Sequence, residues 1–474
     1  MFSLEKLKAN GRLQQFTTVI FATLSAVSDG MQYAWTAPII PLLQNTSSQI
    51  QITQTDVLWL ENIYMIGGFA GIPLIIFTVD RFGRKASILA GVVQSVLSWI
   101  LIGCASSVEF LYVGRFLSGL AADVGFVTIP IYTAEIADKK IRGFLGSWIY
   151  LMMLIGVLVM YSVGPYVTIP ISSAVGCSFL LLELCIFPFM PESPYFYILR
   201  GNPKAARTSL RKLRPCENVD KELEEITASI ETQMSEKGGV TDLLFTKSAR
   251  KALLITVLLN FAQHFSCYSV ILMNLHSILD EADVKFNAST AAIVFSTLML
   301  LSALFSSVIV DRTGRKVLLC SSSILTGLSM LVLAIYFALK NNGVNVESHN
   351  WIAIFSVMCY AFSYKYGLGL LAVVVAAEIF PTNVKTIGMT IGDTTYSISS
   401  ILSIYMYQML KDMYGIHVPF FIFTVCCFFV AIFSAFCIPE TKGKTLHQIQ
   451  LILNGESVRI STNATVTNTE GTHL

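Results

Sequence analysis

Asp80-Arg81-Phe82-Gly83-Arg84-Lys85 and Asp311-Arg312-Thr313-Gly314-Arg315-Lys316 set an acid, two guanidinium groups and a lysine around a glycine, twice in one chain. Two further echoes follow in the same order: Glu135 with Arg142 against Glu378 with Lys385, and Pro191-Glu192-Ser193 against Pro439-Glu440-Thr441. Carboxylates and guanidiniums in this pattern can form forked ion pairs and hold helix-end carbonyls, while the glycine supports a tight turn between antiparallel helices. That is the chemistry of a latch, made and broken without a covalent step. No phosphate loop, metal-ligand cluster or nucleophile elbow stands in a supporting context, so neither enzyme activity nor a metal nor a cofactor is expected.

The elements that must carry these motifs follow from composition. Of 474 residues, 54% are hydrophobic and 13% charged, with a mean hydropathy of +0.65, which excludes a soluble protein. Apolar stretches read at roughly 16–40, 57–79, 87–106, 108–134, 143–164, 170–190, 251–279, 289–310, 317–339, 351–377, 386–410 and 418–438, twelve predicted transmembrane helices. Each Asp-Arg-X-Gly-Arg segment falls in the loop after the second helix of a set of six. The expected fold is an all-α membrane protein of two pseudo-symmetric six-helix bundles. The division runs 1–15 N-terminal segment, 16–190 first bundle, 191–250 helical linker, 251–438 second bundle and 439–474 tail. The ten cysteines lie almost entirely in the apolar runs and read as small core residues.

Lys+Arg 32 against Asp+Glu 30 gives a net charge of +2, no basis for nucleic-acid binding, but the distribution is strongly polarised. With both termini cytoplasmic, 27 of the 32 basic residues fall on the cytoplasmic side, which makes that orientation the expected one. The sequons at Asn45 and Asn287 then face outward as glycosylation candidates. Asp29, Glu61, Arg115, Asp123, Glu183, Lys365 and Asp393 lie inside predicted spans. An ionised group there costs at least ~2.5 kcal/mol, so each should face a cavity or a partner. Lys365 and Asp393, on consecutive helices, are expected to neutralise each other.

Gly30 through Trp35-Thr36-Ala37-Pro38, the two Asp-Arg-X-Gly-Arg segments, Gly114-Arg115, Pro130-Ile131-Tyr132-Thr133-Ala134-Glu135, Pro191-Glu192-Ser193-Pro194, Gln263 with Ser266, Glu378-Ile379-Phe380-Pro381 and Pro439-Glu440-Thr441 together carry a family pattern. Over about 19–450 the chain resembles the sugar porters of the major facilitator superfamily, the insect trehalose-transporter-like group in particular. The resemblance implies two bundles around a central cavity open alternately to either side. It implies a cytoplasmic gate network of Asp80, Arg81, Arg84, Glu135, Arg142, Glu192, Asp311, Arg312, Arg315, Glu378, Lys385 and Glu440. It also implies transport of a neutral sugar, a hexose or a disaccharide such as trehalose, by facilitated diffusion. The expected partners are that small-molecule sugar or a polyol and the lipid bilayer, and the expected location is the plasma membrane.

Departures from the pattern concentrate where the solute would bind. Gln263 is retained, whereas other family amide positions fall on Tyr150, His264, Ser269 and Tyr396, and the tenth helix loses its prolines and tryptophan at Gly369-Leu370-Leu371-Ala372-Val373. These five residues, Gln263, His264, Ser269, Tyr150 and Tyr396, are the candidate substrate contacts, because a polyhydroxyl ligand needs donors, acceptors and an aromatic face. Arg115 stands where proton-coupled porters pair an arginine with a first-helix aspartate, making Asp29–Arg115 a candidate proton switch. The alternatives are therefore a proton-coupled sugar or polyol symporter and a non-transporting sugar sensor.

Overall fold

The computed structural model describes residues 12–45, 49–138, 141–214, 219–235, 240–282, 287–381, 384–442, 444 and 446–454. Among the described residues every regular element is a helix. This is the expected outcome for apolar crossings, since only a helix satisfies its own backbone groups in hydrocarbon.

Among the described residues ten segments are long and apolar enough to cross a membrane, from Gln54–Phe82 to His417–Cys437. The first and eleventh crossings complete the twelve. The first is divided into α1 (Arg12–Ala22), α2 (Leu24–Ala34) and α3 (Thr36–Gln44). Of the first half's remaining crossings, α4 (Gln54–Phe82), α5 (Arg84–Gly103), α6 (Val108–Ile136), α7 (Arg142–Val163) and α8 (Ile169–Ile186) are single helices. Between the halves lie α9 (Pro194–Leu199), α10 (Pro203–Leu213), α11 (Val219–Ser235) and α12 (Val240–Phe245).

The second half runs α13 (Lys247–Phe265), α14 (Tyr268–Glu281), α15 (Ala288–Thr313), α16 (Arg315–Asn341), α17 (Trp351–Tyr366), α18 (Leu368–Ile379), α19 (Lys385–Tyr414) and α20 (His417–Cys437), and α21 (Leu446–Asn454) follows it. Here α13 with α14 form the seventh crossing, α17 with α18 the tenth, and α19 the eleventh. Asp393, Lys411 and a run of Ser and Thr make α19 more polar than its neighbours.

Continuous apolar runs announce these crossings but not the breaks within them. Cys267 adopts φ 74°, a left-handed conformation uncommon for a residue with a Cβ, and so separates α13 from α14. The carbonyl freed at Ser266 accepts from the Tyr360 hydroxyl at 2.9 Å. At Gly367, between α17 and α18, a Cβ would lie 2.5 Å from the Leu318 carbonyl oxygen, so only glycine lets α16 approach this closely. Ser322 of α16 then accepts the Leu368 N–H at 2.9 Å. Broken helices of this kind are tolerated at membrane depth where protein re-satisfies the backbone, and they are a recurrent way of building solute sites.

Candidate functional site

At one end of the molecule the repeated motifs build the same structure twice. In the first half, Arg84 donates to Glu135 Oε1 from Nη2 at 2.9 Å and from Nε at 3.2 Å, and Ser193 Oγ bonds the other Glu135 oxygen. Glu192 accepts the Lys85 N–H at 3.1 Å and the Ser193 N–H at 2.8 Å. In the second half, Arg315 Nη2 donates to Glu378 Oε1 at 3.1 Å, and Thr441 Oγ1 donates to Glu378 Oε2 at 2.5 Å. Glu440 accepts the N–H groups of Arg315 at 3.1 Å and Lys316 at 3.2 Å.

Glu192 and Glu440 therefore cap free N–H groups that begin α5 and α16, where the helix dipole favours negative charge. Gly83 and Gly314 both take φ 98°, and a Cβ would lie 2.5 Å from Glu192 Oε2 or 2.6 Å from Glu440 Oε2. The motif's glycine thus makes the turn and clears the carboxylate's place. The two copies differ in charge balance. Burial raises the Glu192 carboxyl above its ordinary range despite its N–H donors. Burial acts on Glu440 in the same direction, but the N–H groups of Lys442, Arg315 and Lys316 outweigh it and hold the carboxyl below its ordinary range.

The other residues of the expected network take lesser places. Arg81 lies over the Phe77 ring at 5.3 Å, and the Asp80 backbone carbonyl accepts from Arg200 at 3.1 Å. Arg142 donates to the Ala137 carbonyl at 3.3 Å, and the Arg312 carbonyl accepts from Lys442 at 2.5 Å. Lys385 feels the charge of Glu378. The Asp311 side chain lies outside the described residues. The Arg84–Glu135 and Arg315–Glu378 ion pairs each lie within one half.

Contacts between the halves lie away from that end. Tyr33 and Ser269 hydroxyls meet at 2.7 Å, Tyr161 donates to the Leu272 carbonyl at 2.7 Å and Thr36 to the Met273 carbonyl at 3.2 Å. Gln408 donates to Glu61 at 3.1 Å and to Asn274 at 3.3 Å. Glu61 and Arg81 are on the same helix, α4, about 30 Å apart at 1.5 Å per residue, so the Glu61–Gln408 contact and the repeated clusters mark opposite ends.

Between them, four of the five candidate substrate contacts come together beside the broken helices. Ser269 Oγ is a hub, 2.6 Å from His264 Nδ1, 2.9 Å from Ser400 Oγ and 2.7 Å from Tyr33. The Tyr396 ring stands edge-on to His264 with centroids 4.1 Å apart. Gln263 donates to the Leu368 carbonyl at 3.3 Å, tying α13 to the break in the tenth crossing. Both Gln263 Oε1 and His264 Nε2 are buried without a hydrogen-bond partner among the described residues. The fifth residue, Tyr150, packs against Phe126 with ring centroids 6.2 Å apart and interacts electrostatically with Tyr396 and Asp393.

The family pattern does not indicate Tyr33, Ser400, Tyr268 or Tyr364. The spacing of Tyr360, Tyr364 and Tyr268 around the two breaks is the available signal, since residues four apart share a helix face. A Ser–His pair at 2.6 Å has the reach of a nucleophile and base, but His264 Nε2 has no acidic residue to orient it. What the group offers is hydroxyls, an imidazole and phenol faces, suited to holding a polyol reversibly.

The charges inside the crossings are not paired as expected. Arg115 donates from Nε to the Leu60 carbonyl at 3.2 Å and from Nη1 to the Gln32 carbonyl and Gln32 Oε1, and it lies over the Tyr64 ring at 4.8 Å. Asp29 instead sits against Gly125, 3.3 Å from the place of a Cβ there. Lys365 likewise contacts Tyr268, and no described ion pair joins it to Asp393. Carbonyls and rings can stand where a carboxylate was expected and offset part of a cation's desolvation, so pairing by neighbouring position fails. Asn287 uses its side chain to cap α15, accepting the Ser289 N–H at 3.0 Å, while Thr46 and Ser47 of the other sequon lie outside the described residues.

A family model described as "Sugar (and other) transporter" matches residues 11–453. The facilitated trehalose transporter Tret1 of Polypedilum vanderplanki is 28% identical over 458 residues, covering 94% of this chain and 89% of that protein. Tret1 of Drosophila virilis is 27% identical over 460 residues and 95% of this chain, which spans only 50% of that longer relative. Among solved structures, the inward open xylose transporter XylE from E. coli superposes with a TM-score of 0.77 at 20% identity, covering 92% of this chain and 99% of XylE. XylE bound to 6-bromo-6-deoxy-D-glucose, described as a proton:xylose symporter of the major facilitator superfamily, gives a TM-score of 0.74 at 20% identity, covering 93% of this chain and 100% of XylE. The family match over residues 11–453 shows the family, the twelve-crossing fold and the motifs repeated in both halves agree with it, and the chain belongs to the family described as "Sugar (and other) transporter".

Proposed function

We propose that this protein moves a neutral sugar, a hexose or a disaccharide such as trehalose, across the membrane by alternating access and facilitated diffusion. The two moving bodies are residues 16–190 and 251–438, joined by 191–250. The observation that carries the reading is the Ser269 hub, which links Tyr33 of one half to His264 and Ser400 of the other at the broken seventh crossing. A polyol inserted there replaces hydroxyl contacts by its own, so binding is coupled to the relative position of the halves. Gln263, His264, Ser269, Tyr150 and Tyr396 contact the solute.

The repeated ion-pair clusters are the cytoplasmic gate, and the contacts from Glu61 to Gln408 and from Tyr161 to Leu272 close the outer side. In this reading both termini are cytoplasmic, the membrane is the plasma membrane, and Asn45 and Asn287 face outward. Facilitated diffusion is favoured over a proton switch by the way Arg115 is already held by carbonyls and rings. Purified protein in sealed liposomes is expected to equilibrate labelled trehalose without an imposed gradient, and competition by glucose, fructose and polyols ranks the solutes. Binding without any accumulation of label identifies a sensor and overturns the carrier reading.

A further inference from the structure

Lys365 sits in the last turn of α17, two residues before the break at Gly367, and is 8% exposed. Its Nζ lies 4.4 Å from the Tyr268 ring centroid and 5.6 Å from that of Tyr364, and it donates to the Tyr268 hydroxyl at 3.2 Å. Tyr268 stacks on Tyr364 at 4.9 Å, and Tyr360 continues the stack at 5.6 Å. A Cβ at Gly369 would lie 3.2 Å from Lys365 Cδ and 2.5 Å from Tyr364 Cε1, so the missing side chain makes room for this arrangement. The helix begins at Trp351, about 20 Å away at 1.5 Å per residue, which is beyond the reach of a lysine stem to the interface.

Among the described ion pairs none involves Lys365. An ammonium has three donors and Tyr268 takes one. Phenol faces offset about 2 kcal/mol of a buried cation's desolvation, which costs several kcal/mol, so an ionised Lys365 still wants an anion. That anion would stand beside the sugar contacts. Gln263 donates to the Leu368 and Gly369 carbonyls just past the break, and the Tyr364 hydroxyl donates to the Gln263 carbonyl at 3.3 Å. The two unpartnered atoms, Gln263 Oε1 and His264 Nε2, belong to the same group of side chains.

We propose that Lys365, backed by Tyr268 and Tyr364, is an anion subsite next to the sugar contacts, and that the carrier accepts a sugar bearing one carboxylate, a hexuronate. The inference rests on the carrier reading above. It is tested with the full-length protein in liposomes, using labelled glucuronate and labelled trehalose or glucose in parallel, together with thermal melting of the detergent-purified protein. The expected result is saturable glucuronate uptake that neutral sugar inhibits, lost at least tenfold in K365Q and largely kept in K365R. Glucuronate should also raise the melting temperature of the parent more than sodium chloride does at equal ionic strength, a measurement that needs no variant. Neutral-sugar uptake without glucuronate uptake or stabilisation overturns the anion subsite and leaves the carrier standing. Stabilisation by chloride alone, with no glucuronate uptake, overturns it in favour of an inorganic anion. Glucuronate uptake unchanged in K365Q overturns the role of Lys365. Glucuronate uptake without any neutral-sugar uptake supports the subsite and overturns the neutral-sugar reading.

Discussion

The Tyr33 and Ser269 hydroxyls meet at 2.7 Å across the boundary between the two halves. Both are buried, and Ser269 is held at the same time by His264 and Ser400, so the bond ties the first crossing to a preorganised group on the seventh and eleventh. A buried hydrogen bond contributes about 0.5–1.5 kcal/mol net, and leaving one partner unsatisfied costs about 1–3 kcal/mol. Tyr33→Phe should therefore shift the population toward the outward-open state by up to roughly tenfold, since 1.4 kcal/mol is a factor of ten. Labelling of a cysteine introduced at the outer end reports this directly. Tyr33→Phe and Ser269→Ala should be strongly non-additive, and additive effects would show that the two hydroxyls do not act on each other.

The two ion-pair clusters share a design but not an environment. The Arg84 and Glu135 side chains are 8% and 13% exposed, those of Arg315 and Glu378 15% and 29%. Solvent screening weakens the second pair, and breaking the drier one leaves a more costly orphan charge. Glu135→Gln is expected to lower stability by about 3 kcal/mol or more. Glu378→Gln should cost clearly less. Melting of the two variants under the same conditions checks the order, and equal losses would contradict it.

Both clusters are legible in the amino-acid sequence because acids and bases recur at matching places in two halves of the chain. The glycine turn follows from that recurrence, but the partners do not: the recurrence sets Glu135 with Arg142 and Glu378 with Lys385, whereas the ion pairs are Arg84–Glu135 and Arg315–Glu378. Periodicity and apolar length likewise identify the crossings. They carry no sign of the breaks at Thr23, Trp35, Cys267 and Gly367, because a broken helix and a continuous one bury equally apolar side chains. The partners of the buried charges are equally illegible there. Arg115 and Lys365 are met by carbonyls and phenol rings, partners that a search for opposite charges does not consider. The Tyr33–Ser269 bond joins residues remote in sequence and depends on how the halves dock.

Glu440 supplies a pH test. Its carboxyl lies below the ordinary value of 4.5 because backbone N–H groups outweigh burial. A group with a depressed folded value contributes stability that is present above the unfolded value and lost as pH falls through the folded one. The melting temperature of the parent should therefore drop on acidification into and below the range of free carboxylates. Glu440→Gln should start lower at neutral pH and lose less on acidification. An unchanged acid slope in the variant would assign the loss to other carboxylates.

Gly367 tests the tenth-crossing break independently of charge. A methyl group there would lie 2.3 Å from Ser322 Oγ and 2.5 Å from the Leu318 carbonyl oxygen. The hydroxyl can rotate away, but the carbonyl belongs to the backbone of α16 and cannot. Gly367→Ala is expected to cost about 1–3 kcal/mol, the usual range for overpacking. Uptake should fall as well, since α16 and α18 must separate and Gln263 then loses its Leu368 partner. Ser322→Ala made together with it should not restore stability, because the carbonyl clash remains.

Arg115 decides between facilitated and proton-coupled transport. Its guanidinium is buried, donates to the carbonyls of Leu60 and Gln32, and faces the rings of Tyr64 at 4.8 Å and Trp35 at 5.5 Å. Because these contacts do not involve Asp29, protonating that carboxylate releases no bond of Arg115. Asp29→Asn should leave uptake at the parent level, and neither protein should respond to a proton gradient collapsed with an ionophore. Arg115→Lys keeps the charge but loses the forked donors, so it should lower uptake severalfold; charge-assisted hydrogen bonds of this kind contribute about 1.5–3 kcal/mol each. Gradient-driven accumulation in the parent that disappears in Asp29→Asn would show that the two residues come together in another state of the cycle.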